Sequence, residues 1–438
     1  MSSKTAGWIF GCLLVLAAPI GVKAQTPDGA DRGAIRLFLD CQGRIHCDMD
    51  FLRREIRFVD FMRDRQDADV HVLGVSQNSG GGQILTFSFI GLRDFDSVTA
   101  NYDVAVSSTD TSDEQRRKIS RTLQMGLMEF VARTPAAERI QITYEAPETN
   151  DATALEEQKP DPWNFWVFRI GANGFTFGES RQSFLNYSGS VNASRVTDDW
   201  KIVFGSHASK QISDFTFSDG TTLHSTQESY GWNGLVVSSI NSNWSFGFAG
   251  DVNSSTYSNT KIQFQFYPAV EFNAFPYDES SRQSLIFRYG IGVRAVAYNE
   301  VTIYDKTEET LPEHVFAVQL QQNQPWGRTS IELNAAQVLS DLSKYQVGVY
   351  GNLNIRLVRG LDLRLNGSYS KINNQLSLPR GGATDEEVLL RRQQLETNYR
   401  YNGSFGLSYR FGSIFNNIVN PRMRGIGGGG GGGEVFFF

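Results

Sequence analysis

From residue 163 onward, apolar and polar residues alternate one for one in stretch after stretch. In the last of these, Phe405, Leu407, Tyr409 and Phe411 alternate with Ser404, Gly406, Ser408 and Arg410. Phe287, Tyr289, Ile291 and Val293 alternate with Arg288, Gly290, Gly292 and Arg294, and Leu361, Leu363, Leu365 and Tyr369 with Asp362, Arg364, Asn366 and Ser368. A period of two is the period of a strand, whose successive side chains point to opposite faces. The pattern recurs about a dozen times, and a wall greasy on one face and polar on the other is what a transmembrane barrel requires. The spacing predicts an antiparallel β-barrel of about 12 strands over residues 163–411, with ten or fourteen as the neighbouring counts. Short connections at 197–199, 241–243, 278–280, 324–327 and 359–360 alternate with others, the longest near 213–225, 299–313 and 373–396. An even strand number returns both barrel ends to one side. Trp163, Trp166, Trp200, Trp244 and Trp326 fall near the strand ends on that side, as an aromatic girdle would.

Residues 25–148 are patterned differently. Strands are expected at Ala34–Asp40, at Val70–Val75 and Gln83–Ile90 joined across Gly80–Gly82, and at Tyr102–Ser107. A short helix is expected over Asp48–Glu55. A capping box at Ser112–Gln115 opens a longer helix with Ile119, Leu123, Leu127, Phe130 and Val131 on one face. Ile140–Tyr144 is expected to close the sheet of a small α+β domain. Residues 149–162, acidic and holding Pro160 and Pro162, read as a linker.

At the start, Lys4 precedes an apolar run from Gly7 to Val22 and a small residue at Ala24, so residues 1–24 read as a secretory signal peptide. Export places Cys41 and Cys47 in an oxidising compartment, where a disulfide is favoured over free thiols; a metal would need more ligands than His46 adds. The net charge of −6 excludes a general nucleic-acid binder. No run is long and apolar enough for a helical span, and lumen-facing residues dilute a barrel's mean hydropathy.

Alternation points Arg169, Arg288, Arg294, Arg356, Arg364 and Arg410 into the lumen, together with Asp251, Glu271, Glu332 and Asp362. Such charges either pair into a network that fills the barrel or line a narrow, positively leaning pore. Arg356 and Arg364 are expected to share Glu332 and Asp362. A barrel hydrolase would need Ser and His paired on the outer wall; His207 is expected to be the one strand histidine and to point inward, with His224 and His314 in loops. Asp305, Glu308, Glu309 and Glu313 read as a solvated acidic loop, and Gly80–Gly82 as a turn. No catalytic, cofactor or metal site is expected, so the chain reads as non-enzymatic. After Phe411, residues 412–438 form a Gly-rich tail. Its seven glycines tether Phe436, Phe437 and Phe438, which either stay free or dock to a membrane surface or a partner groove.

The terminal stretch resembles the last-strand assembly signal of Gram-negative outer-membrane proteins, here Ser404, Gly406, Tyr409 and Phe411. The amino-terminal layout loosely resembles the TolB amino-terminal domain and related envelope domains. These resemblances imply an outer-membrane barrel handled by the barrel-assembly machinery, with the amino-terminal domain and tail in the periplasm. The expected partners are outer-membrane lipid and a periplasmic protein, in envelope assembly, anchoring or transport support. A small-solute porin is the alternative, and an autotransporter-like translocator or a barrel hydrolase is a weaker one.

Overall fold

The computed structural model describes residues 34–43, 45–141, 161–381 and 394–420. The signal segment, the linker up to residue 160, Arg391–Arg392 and the Gly/Phe tail lie outside the described residues.

The amino-terminal domain holds β1 (Ile35–Cys41), α1 (Met49–Glu55), β2 (Val59–Phe61), β3 (Val70–Ser79), β4 (Gly82–Gly91), β5 (Thr99–Ser107) and α2 (Ser112–Val131). Its sheet runs β2-β1-β3-β4-β5, parallel across the first three strands and antiparallel across the rest. Three expectations change. The sheet is closed by β2, a three-residue strand too short to show a period, while Ile140 only caps a 3-10 turn and residues 142–144 lie outside the described residues. The capping box belongs to Thr111, one residue earlier, whose hydroxyl takes the Glu114 N–H while the Glu114 carboxylate takes the Thr111 N–H. The strands around Gly80 are longer, leaving only a two-residue turn.

One face of this sheet is covered by the helices. Leu37, Val70, Val72, Phe87 and Phe89 pack there with Leu52, Leu123, Leu127 and Phe130. The fit is close, since a Cβ on Gly126 would come within 2.2 Å of the Phe89 ring. The other face carries Phe38, Asp40, His71 and Leu73, and it is buried as well: β3 is buried without a break from Val70 to Val75. A strand apolar without alternation has both faces covered. What covers the second face is the other part of the chain.

That part is a twelve-stranded antiparallel meander. Its strands are β6 (Trp166–Glu179), β7 (Gln182–Val196), β8 (Trp200–Thr216), β9 (Thr222–Ser239), β10 (Trp244–Ser255) and β11 (Thr260–Asn273), followed by β12 (Gln283–Tyr298), β13 (Glu308–Gln324), β14 (Gly327–Val338), β15 (Tyr345–Val358), β16 (Leu361–Ile372) and β17 (Tyr399–Tyr409). Each pairs with its neighbours in sequence, the topology of a membrane-spanning up-and-down β-barrel. The register keeps one set of residues on one face throughout. Ile170 opposes Val191, Phe248 opposes Pro268, Phe272 opposes Phe287, Tyr289 opposes Phe316 and Leu365 opposes Phe405. Most of these apolar side chains are exposed, as a lipid-facing wall must be. The strands β6 and β17 end the order, and among the described residues no pairing joins them.

At one end the connections are Thr197–Asp199, Ile240–Asn243, Ala274–Arg282, Pro325–Trp326 and Arg359–Gly360, and the amino-terminal domain is seated there as a cap. Trp166, Trp200 and Trp244 open their strands at this end, with Trp163 and Trp326 in adjoining turns. At the other end residues 373–381 cross to the β12–β13 and β10–β11 connections. Ile303 N–H donates to Leu378 at 2.9 Å, Asn259 donates to Ser377 at 2.9 Å, and Arg380 pairs with Asp305.

The assigned faces can be tested on β17. Phe405→Arg puts a charge on the outer face, which costs about 2–4 kcal/mol near the bilayer midplane. It should lower the heat-modifiable, folded fraction on electrophoresis, while Ser404→Arg on the inner face should change it little. Equal losses would place the faces wrongly.

Candidate functional site

The inner face carries Arg169, Asp251, Glu271, Arg288, Arg294, Glu332, Arg356, Asp362 and Arg364, because each opposes residues of the inner set across its ladders, and Arg410, one residue past β17, reaches Asp362 on the same side. The structure brings some of them together. Arg288 pairs with Glu271 at 2.5 Å, and the Tyr277 hydroxyl donates to the same carboxylate at 2.9 Å. Arg294 pairs at 2.5 Å with Glu313, which also accepts from Tyr267 at 2.7 Å. Asp362 holds Arg410, and Arg356 Nε lies 3.8 Å from it. The expected sharing of Glu332 is corrected: it accepts from Asn334 and Gln319, and Arg364 has no hydrogen bond or ion pair among the described residues. Glu332 stands opposite Tyr350, whereas Arg364 stands opposite Asn354 one ladder further on, so the register keeps them apart.

Two further expectations fail for one reason, which is that strands run past the predicted loop edges. Glu308, Glu309 and Glu313 belong to β13 rather than to an acidic loop, and no metal-binding cluster is found among the described residues. His224 and His314 lie in β9 and β13. His224 Nδ1 is 2.6 Å from Asp214 and its Nε2 is 3.1 Å from the Thr226 hydroxyl, all on the outer face near the end away from the cap.

The most extensive polar site joins the two parts of the chain. Cys41 and Cys47 form a disulfide. The loop it closes holds Gln42, which donates to Gln324 O at 3.2 Å at the end of β13. Asp40, at the end of β1, receives Arg356 Nη2 at 3.3 Å, and that guanidinium lies 4.8 Å from the Phe38 ring centre. Asp64 accepts the Gly360 N–H at 2.8 Å, and Asp67 pairs with Arg359 at 2.7 Å. Gly360 has φ +73, and a Cβ there would come within 2.2 Å of Arg410 O, so only glycine fits this turn. The tip of the β3–β4 hairpin reaches the opposite wall, where Gly80 O is 3.5 Å from the Ser194 hydroxyl. Between that hairpin and the wall lies a cavity of about 880 Å³ lined in part by Lys201, Glu271 and Arg288.

The segment after β17 completes the seat. Arg63 N–H donates to Ile414 O, Asn416 N–H to Phe61 O, and Asn417 bridges Phe61 N–H and the Asp60 carboxylate. Residues 414–417 therefore lie antiparallel along β2, the edge of the cap's sheet. Phe415 packs there with Phe38, Met62 and Ala68. This part of the expected tail is docked on the chain's own cap. Phe436–Phe438 lie outside the described residues. Of the terminal-strand residues, Ser404 and Gly406 face inward, and Tyr409 stacks on Phe411 at 5.7 Å.

His71 is fully buried beside this seat, its Nε2 3.6 Å from Asp40. Burial lowers its pKa from 6.5 and outweighs Asp40, with Arg65 and Arg356 adding to the fall. For Asp40 burial acts the other way, but His71 and the Arg356 charge outweigh it and hold the carboxyl below its usual 3.8.

No protein-family model matches the chain, and no curated protein matches it. Among solved structures, a NanC porin described as "NanC porin structure in rhombohedral crystal form" is similar at a TM-score of 0.26 and 10% identity, over 55% of this chain and 99% of that one. The TolB-like layout of the amino-terminal domain is not carried further by these findings.

Both depressed pKa values give stability that is present at higher pH and lost on acidification. The loss should begin below 6.5 with His71 and continue below 3.8 with Asp40. Hydrogen exchange of β1–β3, corrected for its intrinsic pH dependence, should show protection falling in those two stages. In His71→Gln the first stage should vanish; its persistence would assign it to another group.

Proposed function

We propose that the chain is an outer-membrane channel for small solutes whose mouth is closed by its own amino-terminal domain. The docking of that domain through Asp40, Asp64 and Asp67 carries the reading. A scaffold needs no contact between its periplasmic domain and the lumen wall, whereas here the contacts run from the β7 end round to Asn417. Export of the whole chain puts cap, linker and tail in the periplasm, and the far connections outside. Insertion would use the barrel-assembly machinery.

The domain's helical face, turned away from the seat and bearing exposed Met125, supports a second role in binding a periplasmic protein. The line of Thr226, His224 and Asp214 gives a hydrolase reading some geometry, but its hydroxyl belongs to a β-branched threonine on the outer face. We hold the chain to be non-enzymatic, with no cofactor.

Single-channel recording in planar bilayers tests the channel reading. The double variant Asp40→Asn/Asp67→Asn removes two anchors of the cap and leaves the wall intact. It should open several-fold more often than the unaltered chain. Silence in both, with the folded form verified by heat-modifiability, would return the chain to the anchoring and partner-binding role.

A further inference from the structure

A second cavity, of about 460 Å³, lies on the other side of the cap, between it and the inner faces of β15–β17. Arg53 and Arg63 reach it from the cap, and Arg356, Arg364 and Arg410 from the wall. Its carboxylates are Asp40, Asp64 and Asp362, and Asp50 behind the lining pairs with Arg53 at 3.3 Å, which leaves an excess of one positive charge. Those carboxylates are already engaged. Asp362 holds Arg410, Asp40 receives Arg356, and Asp64 accepts the N–H groups of Gln66 and Gly360.

The donors are not used up. Among the described residues Arg364, exposed on the inner face, has no hydrogen bond or ion pair, and the Nε atoms of Arg53 and Arg63 are buried with no acceptor. A buried N–H without an acceptor is unfavourable, and guanidinium groups facing one another across a gap repel. Both penalties are removed by one ligand that supplies several oxygens and negative charge. The planar fork of arginine matches carboxylate and phosphate oxygens. The cavity is bounded by the cap and the polar face of the wall, so a lipid headgroup on the outer face does not reach it.

We propose that this cavity binds a compact oxyanion from solution, a phosphate- or carboxylate-bearing solute held between cap arginines Arg53 and Arg63 and wall arginines Arg364 and Arg410. The ligand joins the two parts of the chain, so binding tightens the cap. The proposal does not rest on the channel reading, since binding can be measured whether or not the protein conducts.

Isothermal titration of the detergent-folded full chain with inorganic phosphate tests it. Saturable binding is expected, together with greater exchange protection of β1–β3 when phosphate is present. Arg63→Gln and Arg364→Gln should each weaken binding about tenfold or more, the loss of a charge-assisted contact. Arg364→Lys should fall between, because it keeps the charge and loses the fork. Arg169→Gln, on the inner face of β6 outside this cavity, should bind as the unaltered chain does. Heat-modifiability verifies folding of each variant. Absence of saturation by about 10 mM phosphate, or equal weakening by Arg169→Gln, overturns the proposal.

Discussion

A strand with hydrocarbon on one side and a polar interior on the other can give only alternate residues to each. That constraint organises residues 166–409. It places Phe248, Phe287 and Tyr289 outward, and it obliges the intervening positions to satisfy their own polarity inside. The chain does so in two ways. Within the wall, charges pair across neighbouring strands, as Arg288 does with Glu271 and Arg294 with Glu313. At the cap end, Arg356 and Arg359 take carboxylates from a separately folded domain.

The seat is thus a continuation of the wall's internal chemistry. Asp40 and Asp362 flank Arg356, so one guanidinium belongs both to the inner face of β15 and to the cap's sheet. Half-buried pairs of this kind contribute modestly when intact and cost more when one partner is lost. Losing Asp40 leaves Arg356 with Asp362, so the wall keeps its own pair while the cap gives up one of several contacts, those of Asp64 and Asp67 among them.

Alternation is a local property, and this is why the strands, their number and the small α+β domain were legible in a single sequence. Strand ends were less so. The apolar runs fade near His224 and His314, yet backbone pairing continues through both. Partner choice was illegible because it depends on register between strands: nothing within β14 or β16 says that Glu332 faces Tyr350 while Arg364 faces Asn354. The three-residue β2 shows no period at all. The docking of the cap left only indirect marks, such as the lack of polar alternation over Val70–Val75 of β3 and the glycine at 360.

The strip from Ile414 to Asn417 along β2 has a consequence for the order of events in synthesis. These residues come after every strand of the wall, and the domain they complete comes before them all. The cap's edge strand therefore waits for its neighbour until all twelve wall strands have been made. A chain truncated before β17 would leave β2 bare, with Phe38 and Met62 uncovered, and a bare edge invites pairing with other chains. Closure of that edge therefore follows the synthesis of all twelve wall strands and cannot precede it.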